Sequence, residues 1–160
     1  MIDSEDDNMK TLKIKWQRLI FDEQTCPRCG STEQEVEKAV SLLKESLRPL
    51  GIMVALEKRE MTEAEFKKDP LQSNKIWIKG RPLEDWIGGK TGRSQCCDVC
   101  GTAECRTIGV GDEVYEAIPA DLIIRAGLIA AAELLGPKMT KGKITKEPSS
   151  SCCSKLYNIK

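Results

Sequence analysis

Histidine is absent from all 160 residues. Any metal centre must therefore draw on thiolates and carboxylates, and acid–base chemistry near neutral pH must use a group other than imidazole. An excess of one charge is missing too, since 25 basic residues balance 25 acidic ones. No global field draws the chain to nucleic acid or to an anionic membrane, and neither is an expected partner. Aromatic residues make up only 4% of the chain, so Trp77 and Trp86 are expected to supply packing bulk to a hairpin rather than a ligand cage. The amino terminus, MIDSEDDNMK, is acidic and has no apolar run behind it. It does not read as a secretory signal, and the expected compartment is the reducing cytoplasm. A chain of this length buries a core without covalent staples.

Against these absences stand eight cysteines. In a reducing compartment they point to metal ligands or redox chemistry rather than to a disulfide framework. Cys26 and Cys29 lie in TCPRCGS, Cys96, Cys97, Cys100 and Cys105 in QCCDVCGTAEC, and Cys152 and Cys153 in SCCS. The motif C-P-x-C-G suits either a metal knuckle or a redox dithiol.

Hydrophobic spacing arranges the rest. Residues 1–9 read as a disordered leader. Leu12, Ile14 and Trp16 alternate and predict a strand that runs on to Phe21. Val36, Ala39, Val40, Leu43, Leu47 and Leu50 recur at helical steps, with Ser31 or Thr32 as cap and Gln34 or Glu35 at the matching third position. IMVALE predicts a buried strand. Thr62 and Glu65 form a capping box flanked by Met61 and Phe66 at staple positions, so a short helix is expected to end near Asp69-Pro70. NKIWIKGRPLEDWIGG reads as a hairpin turning at Gly80-Arg81, with Pro82 on an edge strand. Residues 88–106 read as a loop organised by its own thiols, and RTIGVGDEVYEAI as a small hairpin turning at Gly111-Asp112. PADLIIRAGLIAAAELLG predicts a helix with Pro119 in its first turn and Gly136 at its end. That helix is apolar nearly all round and too short to span a bilayer, so it is expected to be buried or to form a homodimer contact. Residues 137–160 read as a flexible tail whose lysines keep it solvated, leaving 10–136 as the domain.

This order, with TCPRCGS after the first strand, SNKIWIKGRPLEDWIGG as the hairpin and SQCCDVCGTAECRT before a helix beginning IPADLIIRAGL, resembles the thioredoxin-like superfamily, in particular an uncharacterised prokaryotic family within it. The likeness covers roughly residues 10–135. It implies an α/β fold in which helices flank a central mixed sheet, here carrying a cysteine-rich loop as an insertion. It also implies thiol–disulfide exchange with a disulfide-containing protein or a small thiol, needing no cofactor.

Under that reading Cys26 is the attacking thiol and Cys29 the resolving one. The helix dipole and Arg28 stabilise the Cys26 thiolate, and Pro27 stiffens the turn. Asn74 takes the substrate-facing position before the strand opposite the dithiol, where members of the superfamily normally carry a cis-proline.

The alternative is a non-enzymatic protein that binds a thiophilic ion. Cys26 and Cys29 pair with Cys97 and Cys100 in the C-x2-C…C-x2-C pattern, although the intervening segment is several times longer than in a compact zinc ribbon. Cys96, Cys97, Cys100 and Cys105 are candidates for a structural zinc site, an iron–sulfur site, a trap for arsenite or mercury, or a thiol relay to Cys26. Asp98 and Glu104 read as solvated carboxylates. Cys152 and Cys153 form a flexible tail dithiol suited to chelation, or are incidental. A third class is a binding adaptor whose last helix docks a partner. GGKTGRS lacks the G-x-x-x-x-G-K-[ST] frame and does not sit between a strand and a helix, so it carries no phosphate-binding reading.

Overall fold

The computed structural model describes residues 9–95 and 100–136. The expected tail with Cys152 and Cys153, all of the expected leader but Met9, and the pair Cys96 and Cys97 lie outside the described residues.

Alternating apolar residues build the central strand. In β1 (Lys10–Leu19), Leu12, Ile14 and Trp16 are fully buried. Strand β2 (Ile52–Met61) runs parallel to it, with Leu12 opposite Val54. On the other side β3 (Lys75–Ile78) is antiparallel to β1, and the two-residue β4 (Arg81–Pro82) pairs with β3. The mixed sheet has the order β2-β1-β3-β4, so β2 and β4 are its edges. Pro82 thus lies on an edge, as expected from its missing donor. IMVALE is a strand, but an edge strand with one buried face rather than one buried on both.

Two long helices, α1 (Pro27–Leu47) and α4 (Ala120–Leu135), pack on each other and share one core with Leu12, Ile14 and Trp16. Gly127 of α4 makes that approach feasible, because a Cβ there would lie 2.6 Å from Leu43 Cδ1 on α1. The apolar helix expected at this position is therefore a core element, with Leu128 and Ile129 left exposed on its outer side. Among the described residues no helix is long and apolar enough to cross a membrane.

The short helix α2 (Glu63–Lys68) starts at the expected capping box. Thr62 accepts the Glu65 N–H at 3.2 Å, while the Glu65 carboxylate accepts the Thr62 N–H at 2.8 Å. Met61 and Phe66 are both buried in one satellite cluster, which fits the staple. Thr62→Ala is expected to lower stability by about 1 kcal/mol, read as a shifted urea midpoint with unchanged m-value.

The region expected to be a loop, 88–106, is instead largely a hairpin. A one-turn helix α3 (Leu83–Ile87), not anticipated from sequence, leads into β5 (Lys90–Gln95), β6 (Glu104–Val110) and β7 (Glu113–Tyr115), an antiparallel sheet of order β5-β6-β7. Cys105 consequently sits on a strand and not in a cysteine loop. Gly92 suits this pairing, since a Cβ on it would meet Thr107 Oγ1 at 2.6 Å.

Candidate functional site: a dithiol at the start of α1

Where β1 gives way to α1, the CPRC sequence itself begins the helix. Cys26 is the N-cap, with extended backbone (φ −69°, ψ 157°), and Pro27 occupies the first helical position, where its missing N–H costs nothing. The Cys29 N–H donates to Cys26 Sγ at 3.5 Å. The helix therefore starts about one turn earlier than the expected Ser31 or Thr32 cap. Those capping residues serve tertiary contacts instead. Thr32 Oγ1 donates to the Arg28 carbonyl and accepts the Ile118 N–H, both at 3.1 Å, and Glu35 accepts the Ala120 N–H at 2.7 Å. Through these bonds the amino ends of α1 and α4 are locked together.

Both thiols of the motif are buried, Cys26 and Cys29 each at 4% exposure. Cys29 Sγ lies 3.8 Å from the hydroxyl of Ser73, which also accepts the Leu19 N–H at 3.0 Å. Ser73 thus ties the dithiol to the end of β1. It has no motif of its own, and its place immediately before Asn74 was the only sequence signal for it. The hydrogen bond with the Cys26 sulfur, then burial, then the electrostatic interaction with Cys26 push the Cys29 thiol well above its ordinary value of 9.0, with Cys105 adding to the rise and Ser73 opposing it. Cys29 stays protonated throughout the physiological range.

Stability follows from that shift. Folding holds the Cys29 proton, while the unfolded chain releases it above about pH 9. The reduced protein is therefore expected to lose stability as pH rises past 9, by up to about 1.4 kcal/mol per pH unit from this group. Urea unfolding of wild type and Cys29→Ala at pH 7.5 and pH 10 should show the variant losing less.

Arg28, expected to stabilise the Cys26 thiolate, reaches across to β5 and Glu116. Its guanidinium donates to Ser94 Oγ at 3.0 Å and to the Gln95 carbonyl at 3.1 Å, and pairs with Glu116 at 3.0 Å. It is a clamp that holds the end of β5 against the start of α1. Asn74, expected to face the substrate, lies inside the fold. It is buried with left-handed backbone (φ 54°), accepts from Trp16 Nε1 at 3.2 Å and donates to the Glu116 carbonyl at 3.2 Å. Asparagine tolerates that backbone better than most residues.

Of the second cysteine group, Cys100 and Cys105 lie among the described residues, and Cys105 is near enough to Cys29 to influence its thiol. Cys100 is half-buried and packs both against the core cluster holding Cys26 and Cys29 and against the satellite cluster of Leu19, Met61, Phe66 and Cys105. Cys105 faces Ser94 across the β5–β6 pair, directly beside the strand end that Arg28 holds. Among the described residues no three Cys, Asp or Glu side chains are grouped so as to hold a metal ion, and Cys96 and Cys97 lie outside those residues. Glu104, on the strand, pairs with Arg93 at 3.9 Å.

Residues 12–127 match the family described as Domain of unknown function (DUF2703). The chain belongs to that family. The matched DUF2703 segment runs from β1 into α4 and contains Cys26, Cys29, Ser73, Cys100 and Cys105. The chain is also similar to an uncharacterized protein of Archaeoglobus fulgidus, 51% identical over 112 residues that cover 70% of this chain and 82% of the relative. No solved structure matches it significantly.

Proposed function

We propose that the protein has a thioredoxin-like fold and carries out thiol–disulfide exchange at Cys26 and Cys29. The observation that carries this reading is the placement of the pair. Cys26 Sγ, at the N-cap of a 21-residue helix, accepts the N–H of Cys29, which sits one turn further on. A sulfur placed at a helix N-terminus is stabilised as thiolate. The fold half of the proposal is supported by the order of elements, with the dithiol at the strand-to-helix junction of a mixed sheet, followed by strand, helix and hairpin.

The Cys26 thiolate attacks a disulfide sulfur and expels the other sulfur as thiolate. Cys29 then gives up its proton, attacks Cys26 and releases the reduced product. The disulfide substrate gains two electrons and two protons, and the dithiol becomes a disulfide. The chemistry needs no cofactor.

A second reading, a thiophilic metal-binding protein, is favoured by one observation, the packing of Cys100 against the core cluster that includes Cys26 and Cys29. Metal content of anaerobically purified protein separates the two. Exchange chemistry predicts that wild type and Cys26→Ser/Cys29→Ser carry the same amount of metal or none. Loss of bound zinc or iron in the double variant alone would make the pair a ligand set.

A further inference from the structure

Ser73 is 2% exposed, and its hydroxyl sits between two polar groups. It accepts the Leu19 N–H at 3.0 Å and lies 3.8 Å from Cys29 Sγ. A serine hydroxyl has one proton to give and two lone pairs to offer. The Leu19 amide takes one lone pair, and the Cys29 sulfur is the acceptor within reach of the proton. The backbone beneath the hydroxyl is fixed on both sides. The Ser73 N–H donates to the Pro70 carbonyl at 3.1 Å, and the next residue, Asn74, is held by Trp16 and by the Glu116 carbonyl. A hydroxyl that accepts one hydrogen bond also donates a stronger one.

Cys29 has to lose its proton to attack Cys26, and at 4% exposure its thiolate gains little from solvent. Burial and Cys26 both oppose the ionised form, and of the groups that act on this thiol Ser73 alone favours it.

We propose that Ser73 drives the resolving step by donating a hydrogen bond to the Cys29 sulfur as its thiolate forms. This rests on the exchange reading above and assigns the group that its second half depends on. In the mixed disulfide the Cys29 sulfur attacks Cys26 Sγ. The Cys26–Cys29 bond forms, the bond from Cys26 to the substrate sulfur breaks, and the departing substrate thiolate takes up the proton that Cys29 has lost. Ser73 keeps its own proton throughout. The same hydrogen bond eases the reverse reaction, in which an external thiol attacks Cys26 and Cys29 leaves as thiolate.

The test treats the reduced full chain with oxidised glutathione, quenches with acid and follows two species by peptide mapping, the Cys26–glutathione mixed disulfide and the Cys26–Cys29 disulfide. In Ser73→Ala the mixed disulfide is expected to form within about twofold of the wild-type rate and to decay at least about tenfold more slowly at pH 7.5. The decay accelerates with pH as Cys29 ionises, and in the variant that rise should lie at higher pH. Ser73→Thr, which keeps the hydroxyl, should restore both the rate and its pH dependence. A fold merely loosened by leaving the Leu19 N–H without its acceptor would alter both steps and leave the pH dependence of decay in place, and that result would overturn the proposal. Equal decay rates in wild type and Ser73→Ala would overturn it too, while leaving the exchange reading standing. Failure of wild type to form either species would instead remove the exchange reading, and the proposal with it.

Discussion

Cys26→Ser is expected to lower the rate of disulfide exchange by at least about a hundredfold while leaving the fold intact. The two effects separate because of where the residue sits. Serine is among the preferred N-cap residues, so its hydroxyl can take over the hydrogen bond that Cys29 N–H now gives to the Cys26 sulfur. The nucleophile is lost and the cap is kept. Circular dichroism and thermal midpoint should be close to wild type, with activity gone.

Cys29→Ser should behave differently. Cys26 remains able to attack but has no resolving partner, so it accumulates in a mixed disulfide visible by mass spectrometry under non-reducing conditions. If Cys29→Ser turned over like wild type, the assignment of attack and resolution would be wrong. In the metal-binding reading both variants would lose metal and neither would trap a sulfur.

The second large effect concerns the β5–β6 hairpin, which carries Cys105. Arg106 on β6 and Glu84 on α3 form an ion pair whose side chains are 5% and 4% exposed. Arg106 also donates to the Leu71 carbonyl and to Thr91 Oγ1, each at 2.9 Å, and Thr91 donates to Glu84 at 2.8 Å. Strand β5, strand β6, helix α3 and the turn after α2 thus meet at one guanidinium. Among the described residues Glu84 Oε2 has no hydrogen-bond partner, so removing Arg106 leaves a buried carboxylate with only the Thr91 hydroxyl to stabilise it.

Arg106→Ala is therefore expected to destabilise the protein by about 3–5 kcal/mol in urea unfolding. Replacing both partners with methionine should recover much of that loss, because an apolar pair carries no desolvation cost. A loss below about 1 kcal/mol for the single variant would show that the pair does not anchor the hairpin. Because the hairpin is also held by Arg28 at Ser94 and Gln95, exchange activity should fall with the hairpin's stability.

Sequence patterns carried the parts of the fold that depend on neighbours a few residues apart. The alternation of Leu12, Ile14 and Trp16, the Thr62–Glu65 capping box, the hairpin at Gly80 and the helix from Pro119 to Gly136 are all local signals, and each element forms where those signals lie. What was missed depends on distant partners. Ser31 and Thr32 have the composition of a cap, but Thr32 and Glu35 are spent on the amino end of α4, and the cysteine motif caps the helix itself. Strand β5 reads KTGRSQ, with no apolar alternation to betray it, and exists through its pairing with β6.

The same division holds for the site. Cys26 and Cys29 are legible as a motif, and their flanking strand and helix as a context. Arg28 is read from its adjacency to Cys26 and Asn74 from the superfamily resemblance, while their contacts with Ser94, Gln95, Glu116 and Trp16 come from distant parts of the chain. Ser73 became visible only through its 3.8 Å approach to the Cys29 sulfur.

The most direct test of the central claim is the oxidation state of the Cys26–Cys29 pair across a series of glutathione redox buffers, read by thiol alkylation and peptide mapping. A dithiol exchange site predicts one reversible two-electron transition, with a midpoint within the roughly −120 to −270 mV spanned by dithiol exchange proteins. A pair that stays reduced across that whole range, or that resists alkylation until a chelator removes a bound metal, would contradict it.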